Sequence, residues 1–191
     1  LYFSLIQKIQ NKKLLELMPF VACVALNQTT RFFFPNSEIQ IKNKWPNDLM
    51  VNEKKNSGIL IESKIGKFGN FDCVIGVGVN LISSPINVIY PTTNFAEFGI
   101  EVEKIKFLEK FLEKFFILIE EFQNFGFMPI RNLWLSEAFK LKKEINLNLF
   151  DKKLSGVFED IDENGCLILR DEDSNYVKIN MAEIMPIINS S

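Results

Sequence analysis

The stretch Val74-Ile75-Gly76-Val77-Gly78-Val79-Asn80 constrains the fold more than any other part of the chain. It is short, rich in β-branched residues and preceded by the turn residues Gly66, Gly69 and Asn70, so it reads as a buried strand. Side chains alternate across a strand, which sends Ile75, Val77 and Val79 to one face. Gly76 and Gly78 leave the other face without Cβ atoms. Glycine weakens a strand interior, so two at period two ask for a reason. Close approach of a ligand is one reason and tight packing of a helix is another, and the strand alone leaves both open. A dinucleotide fingerprint is excluded, because no third glycine stands at the required place and no helix pattern follows.

The polar residues upstream favour the ligand. After the alternating run Glu38 to Lys42, Pro46 holds Trp45 out of helical geometry, so Lys44-Trp45-Pro46-Asn47-Asp48 is expected to extend or turn. Five residues then present an ammonium, an indole, an amide and a carboxylate. Lys55 follows the turn residues Asn52 and Glu53 at the start of the strand Gly58-Ile59-Leu60-Ile61-Glu62. Taken singly, Lys55 is a solvated hairpin lysine and Asp48 a turn former. Together they give a smooth-floored pocket with an aromatic wall and one charge of each sign, suited to an anionic, partly flat small molecule.

These motifs, in this order and at this spacing, resemble those of the biotin protein ligases. The resemblance implies an α+β fold: a mixed sheet packed with helices, of the class II synthetase type, over residues 1–143, then a small SH3-like β-barrel over residues 144–191. It implies ATP-dependent activation of biotin to biotinyl-5′-AMP and transfer to a lysine of a biotin carboxyl carrier protein, the acetyl-CoA carboxylase subunit. ATP and biotin are then the substrates, with Mg²⁺ carried on the nucleotide. Lys55 and Asp48 match the catalytic positions. Lys55, Gly58, Ile59, Leu60, Gly76 and Gly78 match the biotin site, and Trp45, Asn47 and Asn80 the nucleotide site. No metal ligand is assigned. Two other classes stay open: a lipoate or octanoate ligase of the same fold, and a non-catalytic interaction module. The family's Gly- and Arg-rich adenylate loop is expected just ahead of a strand like Leu1–Leu5. It does not stand in this sequence, which therefore reads as the C-terminal two-thirds of an enzyme, with little activity alone.

The 191 residues hold one sizeable domain, or one plus a small appendage, and 47% hydrophobic content supports a packed core. A net charge of −2 gives no electrostatic case for binding nucleic acid or an anionic membrane. With no histidine in the chain, Ser-His and Cys-His nucleophile pairs and histidine metal ligands are excluded. Cys23, Cys73 and Cys166 are odd in number and widely spaced, which signals neither zinc site nor disulfide framework and suits the cytoplasm. A homodimer stays open.

Elsewhere the pattern predicts a buried helix within Leu14–Gln28, with Pro19 as a first helical residue, and a long loop over Ser83–Asn94. It predicts an amphipathic helix over Ile105–Phe125 that covers the sheet, a break at Met128-Pro129 and another helix over Ile130–Lys143, with Trp134 and Phe139 in the core. Short alternating runs follow from Glu144 to Ile188. Asp160-Ile161-Asp162-Glu163-Asn164-Gly165 opens like a calcium loop, and Asp171 falls at its last position. Strands rather than helices flank it, so a hairpin turn is expected.

Overall fold

The computed structural model describes residues 1–36, 38–150 and 152–184. Strands β1 (Tyr2–Ile9), β2 (Ile41–Lys44), β3 (Asp48–Val51), β4 (Lys54–Ile65) and β5 (Phe71–Val79) form a sheet in the order β1-β5-β4-β3-β2. Every pairing between these strands is antiparallel, so the expected mixed sheet is antiparallel throughout. Isolated parallel bridges join it only to later segments, Lys55 to Thr92 and Asn43 to Ala138. The β3–β4 turn is tight, and Asn52 and Glu53 both take positive φ, 45° and 64°.

Helix α1 (Lys12–Phe33) lies in the core and buries Leu17, Met18, Phe20 and Leu26 completely. Each such burial contributes about 1.5–3 kcal/mol. The helix starts seven residues before Pro19, because the Asn11 side chain accepts from the Leu14 amide at 3.2 Å and caps it. Pro19 therefore sits inside the helix, half-buried, where the burial of its neighbours Leu17, Met18, Phe20 and Val21 outweighs its missing hydrogen bond. Helix α2 (Lys104–Phe125) buries Phe107, Phe111, Phe115, Leu118 and Phe122. It packs mainly on α1 rather than across the sheet, reaching β1 where Phe111 meets Phe3 edge-on at 5.2 Å.

Helix α3 (Phe127–Ser136) begins at a break set by Gly126, with φ 73°, not by Pro129. Pro129 falls in the first turn of α3, where helix amides have no partner to lose. The helix ends at Ser136 instead of continuing to Lys143, because residues 137–139 bond to β2. The Asn43 amide donates to Glu137 O, and the Phe139 amide to Asn43 O, both at 2.7 Å. Trp134 is fully buried, and Phe139 is half-buried.

Strands β6 (Glu144–Asn148), β7 (Lys153–Ile161), β8 (Leu167–Arg170) and β9 (Tyr176–Ile179) form a four-stranded antiparallel meander. A Leu149–Ile184 bridge draws its two ends together, yet no closed barrel forms among the described residues. Met185 to Ser191, part of the expected barrel, lie outside them. Asp162–Gly165 is the expected hairpin turn: Asp162 Oδ1 accepts from the Asn164 and Cys166 amides, each at 2.9 Å, and Lys178 pairs with Oδ2 at 3.0 Å.

This hairpin fastens the second sheet to the first unit. Gly165 has φ 79°, and a Cβ there would lie 2.6 Å from Phe20 Cε2. Gly165 O accepts from Trp45 Nε1 at 3.2 Å, and Lys13 donates to Asn164 Oδ1. Arg131 adds bonds of 2.6 Å to Ile161 O and to Asp160. Both backbone strain and overlap oppose a side chain at 165, so Gly165→Ala is expected to cost about 1–3 kcal/mol. Thermal unfolding should then fall by roughly 2–12 °C for a chain of this size, at about 2–4 °C per kcal/mol. An unchanged midpoint would mean that the hairpin does not clamp the two parts together.

Candidate active site

The sheet register builds a floor from three glycines. Gly58 pairs with Gly78, Leu60 with Gly76, and from the other side Tyr2 with Gly78 and Ser4 with Gly76. Ile59, Ile75, Val77 and Val79 turn into the core against α1, so the glycines lie on the opposite, uncovered face. A cavity of about 620 Å³ stands over this floor. That size is ordinary for a small-molecule site. Asp48, Lys55, Gly58, Ile59, Leu60, Gly76, Gly78, Asn47 and Asn80 all border it. Of these, Ile59 is a core side chain at the margin, whereas Leu60 projects outward.

Among the described residues, Asp48 and Lys55 are the only charged ones lining this cavity, and they meet each other, with Nζ 2.6 Å from Oδ1. Their side chains are 18% and 26% exposed, so solvent reaches the pair without dissolving it. The pair depends on Gly58: a Cβ there would lie 3.2 Å from Asp48 Oδ1 and 3.4 Å from Lys55 Cε. The glycine thus lets a lysine from one strand cross to a carboxylate on the next.

Three asparagines hold the surrounding loops. Asn47 Nδ2 donates to Ile59 O at 2.6 Å, and the Ile59 amide returns a bond to Asn47 O at 3.0 Å, which pins the 45–47 turn to β4. Asn56 Nδ2 donates to Asn80 O at 3.0 Å, and Asn80 Nδ2 to Thr93 O at 3.1 Å. With Lys55 N bonded to Pro91 O at 2.9 Å, these bonds draw the Tyr90–Thr93 segment over the site. There the Lys55 ammonium stands 5.2 Å from the centre of the Tyr90 ring.

Trp45 is the one expected site residue that does not border the main cavity. It is 5% exposed, tied to Gly165, and lines an adjoining cavity of about 390 Å³. This second space shares Asn47, Asp48, Lys55 and Tyr90 with the first and is closed by Asn146 and Asn148 of the C-terminal sheet and by Met181 just after it. Sequence reasoning missed Tyr2, Asn56 and Tyr90 as lining residues. Alternation in β1 carries a signal for Tyr2, whose ring lies over Gly78 while remaining 82% exposed. Nothing in the sequence shows that Tyr90 folds back onto Lys55.

Chemically, the site offers a movable ammonium, a carboxylate, amides and a flat floor. Cys23 lies behind it, but burial pushes its thiol up to about 12, so it remains an S–H donor rather than a nucleophile. Among the described residues, no group of three or more carboxylate or cysteine side chains is placed to hold a metal ion. No helix of the described residues is long and apolar enough to cross a membrane. Because the Lys55–Asp48 pair is largely shielded, a double-mutant cycle with alanine at each position should give a coupling of about 1 kcal/mol in urea unfolding. A coupling of zero would show that the contact contributes nothing to the fold.

A two-unit chain with this floor and this ion pair falls within the class of biotin and lipoate ligases. Residues 1–80 match the model of the Biotin/lipoate A/B protein ligase family, and residues 141–185 that of the Biotin protein ligase C terminal domain. The chain belongs to the biotin protein ligase family. It is 34% identical to a biotin–acetyl-CoA-carboxylase ligase of Paracoccus denitrificans, over 80% of this chain and 66% of that one. A bifunctional ligase/repressor BirA of Salmonella typhimurium is 28% identical over 70% of this chain and 42% of its own length. The chain therefore spans between two-fifths and two-thirds of these curated relatives. Among solved structures, a biotin protein ligase from Aquifex aeolicus in complex with biotin and ATP aligns with a TM-score of 0.76 at 26% identity. That alignment covers 96% of this chain and 76% of the other.

Proposed function

We propose that the protein is an ATP-dependent biotin–protein ligase that makes biotinyl-5′-AMP and passes the biotinyl group to a lysine of a biotin carboxyl carrier protein. The observation that carries this reading is the uncovered glycine floor, with the Lys55–Asp48 pair standing at its edge. The fused rings of biotin are flat enough to lie on Gly76 and Gly78, and its carboxylate then points toward Lys55.

In the first step a biotin carboxylate oxygen attacks the α-phosphorus of ATP and pyrophosphate leaves. Two anions must meet, and the Lys55 ammonium lowers that cost by lying between them. Lys55 turns from Asp48 to the substrates when they bind. In the second step the acceptor amine attacks the acyl carbon, AMP departs, and the amine loses a proton. Asp48, freed from Lys55, orients that amine and receives the proton. Asn47 and Asn80 border the nucleotide end, and Trp45 reaches it from the adjoining cavity. Carried on the nucleotide phosphates, Mg²⁺ would offset their negative charge, and no residue of this chain is assigned to hold it. The biotin reading is favoured over lipoate by the match of residues 141–185 to a biotin ligase C-terminal unit. Residues 1–143 serve as the catalytic domain and residues 144–191 as the second, a division supported by the two sheets sharing no strand among the described residues. The reaction belongs in the cytoplasm, where ATP and the carrier protein are found.

The test uses the full-length natural protein with labelled biotin, Mg-ATP and an acceptor carrier domain. Acceptor labelling that lipoate does not compete away supports the proposal, and its absence refutes it. Lys55→Ala should slow pyrophosphate release by about a hundredfold or more, the usual loss for one such electrostatic contact. A variant within about threefold of wild type, far below that loss, would return Lys55 to the solvated lysines. Gly78→Val should abolish biotin binding in calorimetric titration while thermal unfolding stays near wild type. An added Cβ meets only the Tyr2 ring, at 3.0 Å, and that ring is 82% exposed and able to swing away. Undiminished affinity would mean that biotin does not lie on this strand.

A further inference from the structure

In β2, Ile41 and Asn43 both face the core. An apolar residue would sit at position 43 without cost, whereas a buried amide needs partners for its donors and acceptors. Asn43 is 1% exposed and finds them on two helices. Its Oδ1 accepts from Asn27 Nδ2 of α1 at 3.0 Å and from the Cys23 thiol at 3.5 Å. Its Nδ2 donates to Trp134 O near the end of α3 at 3.0 Å. The same thiol lies 3.9 Å from Asp48 O. Asn43 pairs with Leu49 across the β2–β3 ladder, and Lys44 with Asp48, so this amide stands at the foot of the turn that carries Asn47 and Asp48.

We infer that Asn43 is a positioning residue: through Asn27, Cys23 and Trp134 it fixes the turn that holds Asp48 against Lys55. It touches no cavity atom near the ion pair and acts through the backbone it anchors. α1 and α3 together thereby set where the Asp48 carboxylate stands over Gly58. A polar network of this kind, fully satisfied, holds one geometry where apolar packing tolerates several. The catalytic part of the inference rests on the function proposed above; the positional part does not.

Replacing Asn43 alone leaves the Asn27 amide only its long 3.4 Å bond to Ile41 O and the Trp134 carbonyl only the Glu137 amide at 3.3 Å, so a loss of activity there would be ambiguous. The Asn27→Leu/Asn43→Leu double variant removes both amides and leaves an apolar contact of similar volume, which restores stability when partners are replaced together. A purely structural role predicts recovery of both fold and site. A positioning role predicts a thermal midpoint close to wild type and exchange of the Ile59 amide, which bonds to Asn47 O, faster by about tenfold while β5 amides are unchanged. It also predicts biotin-dependent pyrophosphate release lowered by about tenfold or more in kcat, since a displacement near 1 Å costs up to about a hundredfold. Exchange and kcat both within about threefold of wild type would overturn the inference, being well below the cost of such a displacement. If wild type releases no pyrophosphate, the functional reading fails and the exchange result still decides the positional one. Should the double variant not fold, Cys23→Ala, which removes only the thiol shared by Asn43 and Asp48, is read the same way. Ile59 exchange faster by about threefold or more supports the inference, and wild-type exchange sinks it.

Discussion

The absence of Cβ atoms at Gly58, Gly76 and Gly78 is the constraint on which the rest of the structure depends. Side chains at these places would lean over the open face of the sheet, and one at Gly58 would also crowd Lys55 and Asp48. Removing them leaves strands that gain little from their own packing on that face. The opposite face must supply the stability, and it does so with β-branched residues set against a helix buried through its middle, from Leu17 to Thr30. The long apolar α1 and the bare floor are thus two sides of one arrangement.

The same economy runs through the loops. The turn carrying Asp48 is held from below by Asn43 and from the side by Asn47. The segment carrying Tyr90 is held by Asn56 and Asn80. Amides suit this role because each carries a donor to give a backbone carbonyl at the margin of regular structure. The C-terminal sheet closes the second cavity and is clamped by Gly165 and Arg131. It therefore stands beside the 45–48 turn rather than swinging as a separate module.

Much of this was legible in the residues. Period-two glycines, strand alternation and the spacing from Lys44 to Asn80 locate the floor and the ion pair, because side-chain direction in a strand follows from sequence position alone. The helical spacing of Phe107, Phe111, Phe115 and Phe122 gives α2 for the same reason. What was not legible depends on partners distant in sequence. Pro129 looks like a breaker until Gly126 is seen to make the turn. The end of α3 is set by Asn43, more than ninety residues earlier, and Trp45 lines the adjoining cavity instead of the main one, with its indole N–H given to Gly165 O. Tyr90 reaches Lys55 through backbone bonds that no local pattern announces.

The account stands or falls on where biotin lies. Isotope-filtered NMR on the full-length protein, with biotin in slow or intermediate exchange, would detect protons of the bound ring system against protons of the floor. The account predicts contacts from the rings to the Gly76 and Gly78 α-protons and from the valerate end to the Lys55 side chain. Saturable binding with contacts confined to residues of the Trp45 cavity, or no saturable binding at all, would contradict it.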